Sequence, residues 1–213
     1  MGMTAQTNAL PGVQGMALKE SHLRVIETAA LFGVSFTLID AFYFQLVWGE
    51  LPCAFCNLIR VSLMIFGGGL LLNLRFGFNP WNYVLSAIGA LIGSLISLLF
   101  LFVKAPPSSV PTGSTVFGLS MYGWTFIICT AAIMYCVFML AFNAQKAPAS
   151  KAATPSSFDV TLESKILPPV MWLFIFLVGA NLVSSFLQNG FGTYKRGGQI
   201  HYEMLHNGDP YKP

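Results

Sequence analysis

Five long apolar stretches, almost free of charge, constrain this chain more than any other feature. Crossing a bilayer as a helix takes about 20 consecutive apolar residues, and five segments reach that length: Val25–Trp48, Cys56–Leu74, Trp81–Val103, Val116–Phe142 and Ile166–Leu187. The third and fourth contain no charged residue, the second contains only Arg60, and the first contains Glu27 and Asp40. Across the 213 residues 55% are hydrophobic and 9% charged, whereas a soluble domain carries about 25% charged residues. So little charge does not cover a water-facing surface. The expected fold is therefore an all-α integral membrane protein, in which backbone groups are satisfied within each helix because lipid offers them no partner. A net charge of +3 without a dense basic run excludes nucleic acid as the expected partner.

Residues 1–18 carry no positive charge, and Lys19 and Arg24 arrive only just before the first apolar stretch. That stretch is longer than the apolar part of a cleaved export signal and reads as an uncleaved anchor. The links vary: Gly49–Pro52 is very short, Arg75–Pro80 is a tight turn, and Lys104–Thr115 is polar with three prolines. The segment 143–165 is rich in Ala, Ser, Thr, Lys and Pro, the composition of a flexible linker. The expected organisation is an N-terminal segment 1–22, a four-helix unit 23–142, the linker 143–165, a fifth helix 166–187 and a polar tail 188–213.

Lys and Arg concentrate in the cytoplasmic loops of membrane proteins. Lys19, Arg24, Arg75, Lys146, Lys151 and Lys165 fall on one side; Lys104, Lys195, Arg196 and Lys212 fall on the other. Six against four, or six against one without the tail, places the N-terminus and the linker in the cytoplasm. The loop preceding the second span then faces outward.

That loop carries the chemistry. Pro52-Cys53-Ala54-Phe55-Cys56 places two thiols two residues apart at a helix start, with Arg60 four residues beyond Cys56. A helix N-terminus favours a thiolate, and thiol–disulfide exchange needs one sulfur to be attacked while the other leaves as thiolate. Arg60 falls on the helix face of Cys56, one turn deeper, where a charge in a membrane span implies function. In a redox reading it stabilises the Cys56 thiolate and a reduced quinone. In the alternative reading the cysteines are a structural pair and Arg60 snorkels to the headgroups. No second ligand pair completes a metal site.

The stretch from Phe44-Gln45 to Pro52-Cys53-x-x-Cys56-x-x-x-Arg60 resembles the junction of the first and second helices in the DsbB family of disulfide-bond-forming membrane proteins. The run Phe117-Gly118-Leu119-Ser120-Met121-Tyr122-Gly123-Trp124 resembles that family's entry to its fourth helix, and the similarity covers roughly residues 24–142. The resemblance implies a four-helix bundle of the bacterial inner membrane, here with a fifth transmembrane helix. It also implies Cys53 and Cys56 as the redox pair, Arg60 as a quinone contact, and ubiquinone or menaquinone as the electron acceptor. A periplasmic thioredoxin-like (DsbA-like) thiol oxidase would be the partner, besides membrane lipid. Met121 and Trp124 are candidates for lining the quinone pocket.

Two departures stand out. The Lys104–Thr115 loop lacks the family's second cysteine pair, and the fifth span with its tail is additional. The remaining thiols, Cys129 and Cys136, are seven residues apart on one helix. That is roughly 10 Å of rise, beyond disulfide reach, so both read as buried and inert. An accessory or assembly subunit of a larger membrane complex, built on the same bundle, is the competing reading; a transporter is disfavoured by the absence of an inverted repeat. Asp40 is expected to accept a hydrogen bond from a neighbouring helix or relay a proton. Glu27 is expected at the headgroups, and His201, His206, Glu203 and Asp209 on a solvated tail. Trp48, Trp81, Trp124, Tyr83 and Tyr122 read as interfacial anchors, Trp124 being also a candidate for the quinone pocket.

Overall fold

The computed structural model describes residues 20–49, 51–104, 115–144, 165–190, 202 and 204. Their elements are α1 (Glu20–Val47), α2 (Ala54–Phe76), α3 (Pro80–Lys104), a hairpin of β1 (Thr115–Val116) and β2 (Leu119–Ser120), α4 (Met121–Ala144) and α5 (Leu167–Asn189). All five helices are long and apolar enough to cross a membrane, and the protein is an all-α, multi-pass membrane protein. Most of 143–165 and of the tail, with all four tail residues singled out above, lies outside the described residues.

Helix ends follow local chemistry. Cys53 caps α2 in an extended conformation (φ −70°, ψ 171°). Gly77, at φ 94°, ends it with its N–H on the Asn73 carbonyl, a conformation that suits residues without a Cβ. Pro168 and Pro169 open α5, where their missing N–H groups have no helical partner to lose. The fourth apolar stretch does not begin as helix: residues 115–120 turn as a two-stranded hairpin, with Phe117 and Gly118 at φ 52° and 77°. The helix starts at Met121.

In lipid the apolar outer surface supplies no drive to associate, so close packing and buried polar contacts hold membrane helices together. Helix α2 is central, packing against α1, α3 and α5, while α3 also packs against α4 and α1 against α5. The α2–α3 approach depends on Gly89, where a Cβ would lie 2.6 Å from the Phe66 nitrogen and 2.9 Å from the Ser62 carbonyl oxygen. Ser86 exploits that proximity by donating to the Phe66 carbonyl at 2.9 Å. On the other flank, Phe174 of α5 lies over Gly67, where a Cβ would come within 2.5 Å of its ring. Phe174 and Leu177 join Leu31, Leu38, Leu63, Phe66 and Leu70 in one core, so α5 is an integral part of the bundle. Phe36, Phe76, Phe102, Phe138 and Phe176 point outward, as a lipid-facing surface allows. A groove of about 380 Å³ runs between α1 and α4, lined by Ala30, Gly33, Val34 and Thr37 on one side and Cys129, Ala132 and Tyr135 on the other.

Candidate functional site

The thiol pair lies at the N-terminal end of α2, and both residues are half-buried. Cys53, as N-cap, accepts the backbone N–H of Cys56 on its sulfur at 3.3 Å. The two Sγ atoms are 2.9 Å apart and share a hydrogen bond, so the pair is a dithiol poised within reach of a disulfide, whose S–S distance is about 2.05 Å. The Asn57 N–H on the Cys53 carbonyl, at 3.0 Å, fixes the first helical turn beneath them. The hydrogen bond from Cys56 pulls the Cys53 thiol down from its ordinary range to about 6, against the opposing effect of burial, with the backbone N–H of Cys56 assisting. Cys53, at the rim, is therefore the thiolate of the reduced pair.

Cys56 faces α4. Its sulfur is 3.7 Å from the Tyr122 hydroxyl. Tyr122 stacks at 3.9 Å between ring centroids on Phe100, which meets Phe55 at 5.3 Å. Three aromatic rings from three helices thus wall the inner side of the pair, and the Lys104 ammonium lies 5.8 Å from the Phe100 ring centre. Met121 and Trp124, the residues proposed to line a ligand pocket, are half-buried in the first turn of α4 on either side of Tyr122. Tyr122, which reads from the sequence as an interfacial anchor, instead brings its hydroxyl to Cys56.

Arg60 is buried, 8% exposed. Its guanidinium turns toward α1 and α5, donating to Gln45 Oε1 at 2.6 Å, the Ala41 carbonyl at 2.9 Å and Asn181 Oδ1 at 3.5 Å, with Phe42 packed 5.5 Å away. Gln45 in turn donates to Ser184 at 2.7 Å and to the Tyr202 hydroxyl at 2.6 Å. Gln188 donates to the Pro52 carbonyl at 2.6 Å and accepts from Asn57 at 3.3 Å. A buried polar layer from α1, α2 and α5 therefore lies behind the thiols. In the sequence Gln45 stands out only as part of the Phe44-Gln45 motif, and Asn181, Ser184 and Gln188 belong to no motif. The available signal was the polar spacing 181, 184, 188 on one face of an otherwise apolar helix.

A second polar cluster sits at the opposite end of the bundle and corrects two expectations. Glu27 is fully buried rather than at the headgroups, accepting from Asn73 at 3.0 Å and from the Tyr83 hydroxyl. Tyr83, also fully buried, is no interfacial anchor. Asn73 closes the cluster by accepting the Asn79 N–H at 3.2 Å. Asp40 lies on the exposed outer face of α1. Trp48 and Trp81 are exposed at span ends. Cys129 and Cys136 are completely buried in the core. Among the described residues no three His, Cys, Asp or Glu side chains gather to hold a metal ion.

Residues 24–115 match the family described as Disulfide bond formation protein DsbB. No curated protein and no solved structure matches the chain.

Proposed function

We propose that this chain, DsbB-like over residues 24–115, is a membrane thiol–disulfide oxidoreductase that oxidises a thiol partner and passes the electrons to a membrane quinone. The observation that carries the reading is the Cys53–Cys56 geometry: two thiols 2.9 Å apart, one of them a stabilised thiolate at a helix N-terminus. The cycle begins from the disulfide form. A thiolate of the reduced partner attacks Cys53 Sγ, the more accessible sulfur; the Cys53–Cys56 bond breaks, and Cys56 leaves as thiolate and takes up a proton. The partner's second thiol then attacks the mixed disulfide, releasing an oxidised partner and the Cys53 thiolate. A bound quinone supplies an acceptor for the two electrons and two protons that the dithiol gives up as its disulfide re-forms.

The donor set suits such an acceptor. Arg60 presents a planar fork of N–H donors in a dry setting, where they are matched to carbonyl oxygens. Of its acceptors, Asn181 at 3.5 Å is the most distant. The apolar groove between α1 and α4 ends at Thr37 and Leu63, each about one helical turn from this layer, and its lining suits a prenyl chain. Met121 and Trp124 are proposed to flank the quinone on the α4 side. Tyr122, within reach of Cys56, is placed to donate to the leaving sulfur.

The proposed setting is the bacterial inner membrane, with the N-terminus cytoplasmic, the thiols periplasmic, and a DsbA-like thiol oxidase as partner. Without a second cysteine pair in the Lys104–Thr115 loop, electrons enter directly at Cys53. The test is quinone reduction driven by a reduced thioredoxin-like protein. Cys56→Ser is expected to abolish turnover. Arg60→Lys, which replaces a planar fork by a point charge, is expected to slow it roughly ten- to a hundredfold, the equivalent of about 1.5–3 kcal/mol for a charged hydrogen bond. Wild-type protein inert toward ubiquinone and menaquinone alike, with both variants still assembling with the same neighbours, would favour the role of accessory subunit in a larger membrane complex.

A further inference from the structure

At its C-terminal end the fifth helix meets the segment that carries the thiols. Gln188, in the last turn of α5, is fully buried, and its one amide makes two contacts. The nitrogen donates to the Pro52 carbonyl at 2.6 Å, and the oxygen accepts from Asn57 Nδ2 at 3.3 Å. Pro52 and Asn57 are the residues immediately before Cys53 and immediately after Cys56. We propose that Gln188 is a positioning residue for the thiol pair, a clamp from α5 that holds both flanks of the Cys53–Cys56 segment. The inference rests on the reading of that pair as redox-active.

The physical case has three parts. The Pro52 carbonyl belongs to the peptide that carries the Cys53 nitrogen, so holding it fixes the rotation of the N-cap and with it the reach of Cys53 Sγ to the Cys56 N–H and thiol. Gln188 is out of contact with solvent, so water does not readily replace either hydrogen bond. The clamp is also mounted rigidly. Phe174 seats α5 in the core over Gly67, and just beyond Gln188 the Gly190 N–H closes the helix on the Phe186 carbonyl at 2.7 Å, while the Met204 N–H binds the Leu187 carbonyl at 3.1 Å.

The hydrogen bonds that Cys53 Sγ receives from the Cys56 N–H and thiol favour its thiolate, and a stabilised thiolate favours the reduced pair, which makes the disulfide a stronger oxidant. Releasing the clamp should therefore shift the pair toward its oxidised form. The experiment equilibrates the purified full-length protein with glutathione: two glutathione thiols reduce the Cys53–Cys56 disulfide, giving glutathione disulfide and the dithiol. The fraction reduced is read by alkylation of the peptide containing both cysteines. Gln188→Leu, of similar size but without the amide, and Gln188→Ala are expected to move the equilibrium about tenfold toward disulfide, about 30 mV for a two-electron couple. Asn57→Ala should move it in the same direction by less. Tyr83→Phe, which removes a buried hydrogen bond to Glu27 at the opposite end of the bundle, should lower the unfolding temperature and leave the equilibrium near wild type. A wild-type equilibrium in the Gln188 variants overturns the clamp while leaving the redox reading intact, as does an equal shift in Tyr83→Phe. A wild-type pair that forms no disulfide at any glutathione ratio overturns both.

Discussion

At the scale of single residues, the thiolate of Cys53 is held chiefly by two donors, the Cys56 thiol and the Cys56 backbone N–H. Both act only while the residue remains the N-cap of α2. The consequence is a pH profile. With its pKa lowered to about 6, reduced Cys53 is mostly protonated below that pH and mostly thiolate above it. Alkylation by iodoacetamide should therefore rise through pH 6 and flatten by roughly pH 7, whereas an unperturbed thiol with pKa near 8.5 keeps accelerating to about pH 9. Cys56→Ala removes the larger of the two stabilising contacts and should carry the midpoint upward. A wild-type midpoint near that of an ordinary cysteine would show that the cap does not hold the thiolate. The fall in stability with acid has the same sign: a depressed pKa contributes stability that is lost as pH drops through about 6.

Among the elements, α2 carries the site and α3 holds α2 in place. Their approach is tight enough that a single methyl group decides it. A Cβ at Gly89 meets backbone atoms of α2 at 2.6 and 2.9 Å, while one at Gly68 meets nothing within 4 Å. Gly89→Ala must separate the helices or bend them, and overpacking of this kind costs about 1–3 kcal/mol. Thermal unfolding in detergent should show Gly89→Ala clearly less stable than wild type. Gly68→Ala should be neutral or slightly more stable, since alanine is the better helix former. Equal unfolding temperatures for the two variants would mean that the α2–α3 contact is not close-packed. Because the proposed redox pair begins the same helix, Gly89→Ala should also slow thiol oxidation, through the path Gly89, Phe66, α2.

For the whole molecule, the five spans place the two polar clusters at opposite faces of the membrane: the thiols with Arg60 at one, and Glu27 with Asn73 and Tyr83 at the other. In the proposed orientation the Glu27 end faces the cytoplasm, the side on which Lys and Arg concentrate. In intact spheroplasts the reduced Cys53 should react with a membrane-impermeant maleimide, and external protease should leave the 143–165 segment uncut. Cleavage of that segment from outside would invert the orientation and remove the periplasmic partner from consideration.

The number of spans, their approximate limits and the position of the thiol pair are properties of the chain itself. Hydrocarbon thickness sets the length of an apolar helix, and Pro52 and the sulfur at position 53 mark a helix start without reference to any neighbour. Contacts between distant segments are a different matter. Glu27 looked like a headgroup residue because only the fold brings Asn73 and Tyr83 around it, 46 and 56 residues away. Tyr122 looked like an anchor because nothing local states that its hydroxyl meets Cys56. Gln188 carried no motif at all, and its role rests on partners 136 and 131 residues earlier. Lipid imposes the helices one at a time, so the sequence alone determines them. Buried polar groups in lipid must find one another across helices, and only the tertiary structure decided which ones meet.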